Sequence, residues 1–318
     1  MSALDRTDAL HEVATRLGEG AARVGECLTR EMGKPFRESH WEGGAAASAF
    51  RSFAELARHE QGRIAGPAIA GQFHMTVKEP LGTIVSIVPY NFPVLLFGWQ
   101  AAAALAAGNS IIVKPSELTP ITMLMVMDAF DGLPSGLVQT LTGGAAVGQA
   151  LVAHAETHGV AFTGSVPAAR AVARSAAEHF KPTLIEASGN DPFLVMPSAD
   201  ISLAARGAAF AAFLNCGQVC TSAERFYVHT EVYDEFLEAL ATEARALRLG
   251  SGLDEIDIGP MASAHERDRV EAIIARAVEQ GGRIVCGGGR PLSLPTGWFL
   301  EPTVLELSLI HISEPTRP

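Results

Sequence analysis

Cys220 has the sequence neighbours of a reactive thiol. It lies in the segment 217–222, Gly-Gln-Val-Cys-Thr-Ser, after a Gly-Gln turn and before two hydroxyl residues. At a chain reversal of this kind, backbone N–H groups can stabilise a thiolate or an oxyanion. A free cysteine is more often a small buried apolar residue, an interpretation that suits Cys27 and Cys286. Cys220 is therefore the candidate nucleophile, with a structural thiol as the alternative.

Two other side chains could take part in chemistry at a carbonyl group. Glu186 follows the apolar run 183–185, and ligands bind at the carboxyl ends of strands in open α/β sheets. A partly desolvated carboxylate there could act as a general base, and a salt-bridged structural glutamate is the alternative. Asn91 lies in Pro89-Tyr90-Asn91-Phe92-Pro93. Its NH2 group could donate to an oxyanion, although a turn-forming asparagine would look the same.

Two further strand ends carry groups that suit a nucleotide. Lys114-Pro115-Ser116-Glu117 follows one strand; its cation and carboxylate could meet a ribose or a phosphate, or could be ordinary surface charges. Phe162-Thr163-Gly164-Ser165 joins a strand to a helix. Ser165 is a natural N-cap, and a helix N-terminus attracts phosphate. The G-x-G-x-x-G fingerprint and the P-loop are both absent.

The cysteines do not predict a metal site. Cys216 and Cys220 lack the spacing of a zinc knuckle, and no His-rich segment accompanies them. Four cysteines in a chain of 318 residues do not form a disulfide framework either. We expect free thiols, no bound metal and a reducing compartment, the cytoplasm.

The composition is that of a globular protein. Apolar residues make up 48% of the chain and charged residues 19%, with a formal net charge of −11. Because no segment concentrates Lys and Arg, we expect no nucleic-acid partner. The apolar stretches 84–99 and 94–107 are interrupted by Pro, Asn and Gln, so neither predicts a membrane span. The N-terminus has charges where a signal peptide would need its apolar core.

These candidate residues must be positioned by alternating strands and helices. Residues 5–60 predict two helices with a break at Met32-Gly33-Lys34-Pro35, and 61–80 predict a hairpin or arm. From residue 84, short β-rich runs alternate with Ala-rich helical segments. Such alternation predicts an α/β fold with a parallel sheet and helices on both faces. We place a domain boundary near 186–190, and further helices are predicted at 200–213, 231–246 and 265–280.

Taken together, the order and spacing of these motifs resemble the aldehyde dehydrogenase superfamily. The resemblance extends over nearly all of residues 5–306. It is carried by the motifs quoted above and by Glu31-Met32-Gly33-Lys34-Pro35, Glu186-Ala187-Ser188-Gly189-Asn190, Asp257-Ile258-Gly259-Pro260 and Phe299-Leu300-Glu301-Pro302-Thr303-Val304.

The resemblance implies an aldehyde dehydrogenase-like fold. A Rossmann-type NAD(P)-binding domain would comprise 1–61 and 81–188, an oligomerisation arm 62–80, and an incomplete α/β catalytic domain 189–306. The arm implies a homo-oligomer, a dimer or tetramer, of the full-length protein. Residues 307–318 resemble no part of the family and are similar to translated sequencing-adaptor sequence, so we expect a non-native tail. Because family members have additional segments at both ends, we expect a fragment that folds poorly or aggregates.

The resemblance also implies a mechanism. Cys220 would attack an aldehyde, the Asn91 amide and the Cys220 N–H would hold the oxyanion, and Glu186 would activate the water that hydrolyses the thioester. Having Glu186 favours hydrolysis over transfer to coenzyme A. The substrate would be an aliphatic aldehyde or a semialdehyde, and a noncatalytic nucleotide-binding module is the alternative of another class.

The cofactor residues follow from the same resemblance. Lys114 and Glu117 would hold the adenosine ribose, Ser165 would meet the pyrophosphate, and the remaining cofactor contacts would be Gly164, Pro89 and Tyr90. A carboxylate at Glu117 should repel a 2′-phosphate, which favours NAD, with NADP possible. One departure concerns Gln100, which stands where many members have a lysine, so no proton relay is expected through it.

Overall fold

The structure is a computed structural model that describes residues 1–59 and 62–307. The chain divides into two compact units. The first comprises Met1–Gly25 with His40–Glu186, and the second comprises Glu26–Ser39 with the residues from Ala187 onward. Of the predicted non-native tail 307–318, all but Leu307 lies outside the described residues.

Two long helices open the chain, as predicted. They are α1 (Ala3–Met32) and α2 (Phe36–Leu56). Gly33 ends α1 with a φ of +89°, a left-handed conformation that glycine adopts without steric cost. A Cβ at this position would also collide with the ring of Pro260. The predicted break therefore combines a backbone requirement with a packing requirement.

The hairpin that follows is short and exposed. It pairs β1 (Ile64–Ala65) with β2 (His74–Met75) in antiparallel register. The predicted arm at 62–80 therefore has the shape of a hairpin, and both of its strands are exposed.

The first unit is built on a five-stranded sheet. Its elements alternate along the chain: β3 (Thr83–Ile87), α3 (Pro93–Ala106), β4 (Ser110–Lys114), α4 (Pro120–Val126), β5 (Val138–Thr140), α5 (Ala145–Ala153), β6 (Gly159–Thr163), α6 (Val166–Glu178) and β7 (Thr183–Glu186). The strand order is β5-β4-β3-β6-β7, and every pairing is parallel. The predicted α/β class with a parallel sheet is confirmed.

The strand order reverses direction between β3 and β6. The chain moves from β3 outward through β4 to β5, and then returns to the other side of β3 with β6 and β7. Such a switch point leaves a crevice at the carboxyl ends of the central strands, which is where open α/β sheets bind ligands. Apart from Cys220, the residues singled out above lie at the ends of β3, β4, β6 and β7 or in the loops that follow them.

Apolar packing makes this sheet rigid. A buried cluster joins the sheet to its helices and comprises Val85, Leu151, Val152, Val160 and Ala176. Elsewhere in the unit, Phe130 makes edge-to-face contacts with Phe50 and Phe97, at centroid distances of 5.7 and 5.8 Å. This close-packed interior between sheet and helices fixes the strand ends that carry the polar loops.

The second unit contains β8 (Asp191–Val195), α7 (Ile201–Phe213), β9 (Ala223–Val228), α8 (Tyr233–Ala246), α9 (Ala264–Glu279), β10 (Arg283–Cys286) and β11 (Val304–Glu306). Strands β8 and β9 are parallel, whereas β10 and β11 are antiparallel. The core lies between α7 and α8, where Ala205 and Ala208 allow close approach to Phe236 and Leu240. The three helices were predicted, but β9 and β10 were not.

Residues 26–39 group with the second unit, whereas the expected cofactor domain includes them in 1–61. The cause is close backbone packing around the helix break. A Cβ at Gly259 or Gly252 would overlap the carbonyl oxygen of Gly33, so these glycines let the two segments touch. Among the described residues, no helix has both the length and the apolar character needed to cross a membrane.

Candidate functional site

Cys220 is the last residue of a turn with an unusual backbone, residues 215–220, which we call the nucleophile turn. Asn215 has φ +50° and ψ +40°, and Cys216 has φ +58° and ψ +28°. Gly217 continues with φ +72°. Non-glycine residues rarely adopt this region, and such strain persists only where the surroundings impose it.

Hydrogen bonds hold both sides of Asn215. Its backbone N–H donates to Oε2 of Glu38 over 3.0 Å. Its carbonyl oxygen accepts from the backbone N–H and from the side-chain amide of Gln218, each over 3.0 Å. Gln218 Oε1 in turn accepts the N–H of Ala262 over 3.1 Å. The turn is thus fixed from its own residues, from α2 and from the segment before α9.

Burial dominates the electrostatics of Glu38. It raises the pKa of this carboxyl from 4.5 to about 7, against the opposing effects of the Lys34 and Arg37 cations and of the Asn215 N–H. A carboxylate in a low-dielectric position is disfavoured, which accounts for the direction.

The two neighbouring cysteines have different environments. The Cys216 thiol donates to the carbonyl oxygen of Gly259 over 2.9 Å. Burial, with the nearby Glu38, raises its pKa to about 12, so it stays a thiol at neutral pH and is inert. Cys220 is half-buried. Of the pair, Cys216 is the structural thiol.

The segment after Glu186 contacts the main chain of Cys220. A Cβ at Gly189 would collide with the Cys220 carbonyl oxygen, so only glycine permits this approach. Ser188 immediately before it has φ +68°. The chain therefore makes a strained bend between β7 and this contact, three residues beyond Glu186.

In the first unit, Asn91 belongs to the loop between β3 and α3. Pro89, Tyr90 and Asn91 are half-buried, and the Asn91 Oδ1 atom is buried. The loop ends at the start of α3, where the buried Glu42 accepts the N–H groups of Val94 over 2.6 Å and of Leu95 over 3.1 Å. Those are helix N-terminal donors that have no partner within the helix.

Gln100 on α3 connects two strands of the first unit's sheet. Its Oε1 accepts from the Ser86 hydroxyl over 2.6 Å, and its Nε2 donates to Oγ1 of Thr163 over 3.2 Å. Ser86 is on β3 and Thr163 ends β6, so Gln100 joins the strands on either side of the switch point. It is a structural bridge rather than a charged group.

The expected cofactor residues lie at three strand ends. Lys114, only 7% exposed, is 3.4 Å from the carboxylate of Glu117, which is 64% exposed. Ser165 occupies the N-cap position of α6, as predicted, but its side chain makes no capping bond. The N–H of Gly164 donates to the carbonyl oxygen of Glu186 over 3.2 Å. This bond joins the loops after β6 and β7.

A buried polar atom at the end of β5 also fits a ligand. The Thr140 hydroxyl oxygen is buried and has no hydrogen-bond partner among residues 1–59 and 62–307. A buried hydroxyl without a protein partner is uncommon, so this group could hydrogen-bond to a ligand.

The expectation that Glu186 is partly desolvated is wrong for this structure. Glu186 is exposed. Among the described strands, β7 pairs with β6 alone and forms an edge of the sheet. Thr183 and Leu184 on the same strand are exposed as well.

The structure thus gathers Asn91, Lys114, Gly164 and Glu186 along one edge of the first unit's sheet, at the carboxyl ends of parallel strands. Cys220 belongs to the second unit.

Sequence reasoning missed two buried glutamates, Glu38 and Glu42. Both are on α2, and with Ala46 and Phe50 they form a buried i, i+4 stripe along the helix. A carboxylate that continues an apolar stripe is seldom buried without a partner. That pattern was the available signal.

The chain is similar to known proteins over nearly its whole length. The sequence profile of the aldehyde dehydrogenase family matches residues 1–308. The 3,6-anhydro-alpha-L-galactose dehydrogenase of Vibrio sp. (strain EJY3) is 35% identical over 97% of this chain and 67% of its own length. The betaine aldehyde dehydrogenase of Bacillus subtilis (strain 168) is 33% identical over 96% of this chain and 63% of its own length.

Solved structures show the same fold. PnpE in complex with nicotinamide adenine dinucleotide has a TM-score of 0.93 at 35% identity, covering 96% of this chain and 64% of PnpE. An E. coli NADP-dependent enzyme has a TM-score of 0.92 at 34% identity, with the same coverage of 96% and 64%. The chain therefore spans about two thirds of the length of the relatives it matches. On this similarity of sequence and fold, the chain belongs to the aldehyde dehydrogenase family.

Proposed function

We propose that this chain carries the nucleophile, the general base and the oxyanion donor of an enzyme that oxidises an aldehyde to a carboxylic acid with NAD(P). The observation that carries the proposal is the nucleophile turn. It combines a strained backbone, an inert Cys216 and a half-buried Cys220 whose main chain touches the segment after Glu186.

In the proposed reaction, the Cys220 thiolate forms a carbon–sulfur bond with the aldehyde carbon. The carbonyl electron pair moves to oxygen, and the resulting oxyanion accepts hydrogen bonds from the Asn91 amide and the Cys220 N–H. The hydride would leave this carbon for a nicotinamide held at the cofactor site, and a thioester would remain on Cys220.

Glu186 then completes the turnover. Its carboxylate takes a proton from a water molecule, whose oxygen attacks the thioester carbon. The carbon–sulfur bond breaks, the thiolate is restored and the carboxylic acid leaves. The exposure of Glu186 suits this role, because the base must reach a water molecule.

The residues present fit a dinucleotide. Lys114 and Glu117 would hold the adenosine ribose and Ser165 the pyrophosphate, with Gly164, Pro89 and Tyr90 in contact with the cofactor. The Ser165 hydroxyl makes no capping bond to α6, and the Thr140 hydroxyl is buried without a partner among the described residues. Both groups are available to a ligand. They support a ligand at this edge of the sheet.

The carboxylate of Glu117 favours NAD over NADP, because it would repel a 2′-phosphate. Steady-state kinetics with each cofactor tests this preference. We expect a higher kcat/KM with NAD, and a Glu117→Gln variant that narrows the difference. A higher kcat/KM with NADP in the unaltered protein would contradict the assignment.

The substrate is proposed to be a small aldehyde, aliphatic or a semialdehyde. A suitable panel includes the aldehydes that relatives' names mention, betaine aldehyde and 3-sulfolactaldehyde.

The deciding experiment is aldehyde-dependent NADH formation, followed at 340 nm, by the 318-residue chain and by the complete gene product. Cys220→Ala is the control that removes the nucleophile, and Cys286→Ala removes a thiol that the mechanism does not use. Turnover lost only in Cys220→Ala supports the proposal. Turnover that requires coenzyme A would favour an acylating dehydrogenase, which Glu186 disfavours. NAD binding without turnover in either form would favour a noncatalytic nucleotide-binding module.

A further inference from the structure

Glu38 lies on α2, far from Cys220 in sequence, yet it is bonded to the nucleophile turn. Its side chain is buried, with 8% of the residue exposed. Its Oε2 atom is 3.0 Å from the backbone nitrogen of Asn215, the first left-handed residue of the turn. We propose that Glu38 is a positioning residue for Cys220, whose carboxylate holds the nucleophile turn in its left-handed conformation by accepting the Asn215 N–H. This inference rests on the proposed function, which makes Cys220 the nucleophile.

The turn needs an external anchor because its own sequence does not favour it. Asparagine tolerates a left-handed conformation and glycine adopts it freely, but Cys216 at φ +58° has no such preference. Sparsely populated backbone conformations persist only where neighbouring groups impose them. The Glu38 contact is one such constraint, from outside the turn.

A continuous set of bonds links Glu38 to the nucleophile. Glu38 accepts the N–H of Asn215, and the carbonyl group of Asn215 accepts twice from Gln218. Gln218 is two residues before Cys220 and is itself fixed by the N–H of Ala262. Release of the first bond should therefore loosen the backbone that presents the Cys220 thiol.

The charged groups around Glu38 show that this carboxylate is costly to keep. Lys34 and Arg37 favour its charge, but burial outweighs them and raises its pKa to about 7, while the charge of Glu38 also disfavours ionisation of Cys216. An apolar residue would avoid this cost. An apolar residue could not accept the Asn215 N–H, however, so the carboxylate supplies an acceptor that the turn uses.

The test is site-resolved alkylation of the 318-residue chain. Wild type, Glu38→Ala and Glu38→Gln are treated with iodoacetamide over a range of pH. Modification is then located in the tryptic peptide 207–225, which contains both Cys216 and Cys220. Glu55→Ala is the matched control, because Glu55 is an exposed glutamate on the same helix. The assay needs no aldehyde and no cofactor.

We expect Glu38→Ala to raise the alkylation rate of Cys216 and to lower that of Cys220, each by about tenfold, the factor that corresponds to loss of one hydrogen bond. The pH at which the alkylation rate of Cys220 reaches half its maximum should also rise. Glu38→Gln keeps an oxygen acceptor and should restore both rates, and Glu55→Ala should match wild type. Wild-type rates in Glu38→Ala, or no rescue by Glu38→Gln, would overturn the proposal.

If Glu38→Ala does not fold, hydrogen exchange of wild type and Glu38→Gln decides. A slowly exchanging Asn215 amide in both proteins supports the proposal, whereas exchange at the rate of an unstructured amide overturns it. Failure of the proposed catalysis would appear separately, as absent turnover in a protein whose Cys216 remains protected by Glu38.

Discussion

Two glutamates in this protein have opposite environments, and the environment decides what each can do. Glu38 is buried and holds a backbone N–H, and burial raises its pKa to about 7. Glu186 is exposed at the edge strand β7, where water has access to it. A buried carboxylate can fix geometry, whereas a base for hydrolysis must meet a water molecule.

Replacement of Glu186 by glutamine should separate the two halves of the proposed reaction. Formation of the thioester does not use Glu186, so the first turnover should still release one equivalent of NADH per site. Hydrolysis should slow by roughly 10²-fold to 10⁴-fold, the usual contribution of a general base. Stopped-flow absorbance at 340 nm would show a burst followed by a slow steady state. Loss of the burst as well would assign Glu186 a role before hydrolysis, and Cys220→Ala should show no burst.

Glu38 should make stability depend on pH. Its pKa is about 7 in the folded protein against an ordinary value of 4.5, so the folded state holds the proton more tightly. The contribution of Glu38 to the free energy of unfolding is complete below about pH 4.5. It falls by roughly 3 kcal/mol as the pH rises to about 7. Glu38→Gln should therefore gain stability relative to wild type between pH 5 and pH 8 in urea unfolding. A constant difference between the two proteins would contradict the shift, and Glu55→Gln should keep the wild-type slope.

At the scale of elements, the sequence predicted those whose pattern is local. Short β-rich runs and Ala-rich segments predicted the strands and helices of the parallel sheet, and the segment at Gly33 predicted the break before α2. Strand β9 was missed because Glu224 and Arg225 interrupt its apolar pattern. The left-handed turn before Cys220 could not be read from Cys216, because its conformation is imposed by bonds to Glu38 and Gln218 that join distant parts of the chain.

Glu42 illustrates how one element positions a loop on another. Its carboxylate accepts the N–H groups of Val94 and Leu95 at the start of α3, directly after the Asn91 loop. Glu42→Ala would leave both donors buried without this acceptor. We expect the first unit to lose roughly 2 to 4 kcal/mol of stability. Glu42→Gln should lose less than half of that stability. Glu55→Ala, at an exposed position, should stay within about 0.5 kcal/mol of wild type. Urea unfolding provides the measurement, and equal losses for alanine and glutamine would argue against the capping role.

At the scale of the whole molecule, the arm at 62–80 is notable because contacts within the chain do not bury its apolar side chains. Its hairpin has only two strands of two residues each, and an isolated two-stranded hairpin is marginally stable in water. Its large apolar side chains are mostly exposed, including Ile64 at 76% and Phe73 at 70%. Apolar surface of this kind typically belongs to an interaction site.

The arm should therefore mediate association between copies of this chain, an association that the family resemblance implies for the full-length protein. We expect sedimentation velocity at micromolar concentration to show a dimer or larger species for the unaltered chain. Phe73→Ser combined with Met75→Ser should shift it toward monomer, because these substitutions remove exposed apolar groups without opening a buried core. Leu292→Ser is the control, since Leu292 is 98% exposed but lies outside the arm. A monomeric wild type, or an equal response to the Leu292 variant, would show that the arm does not form the interface.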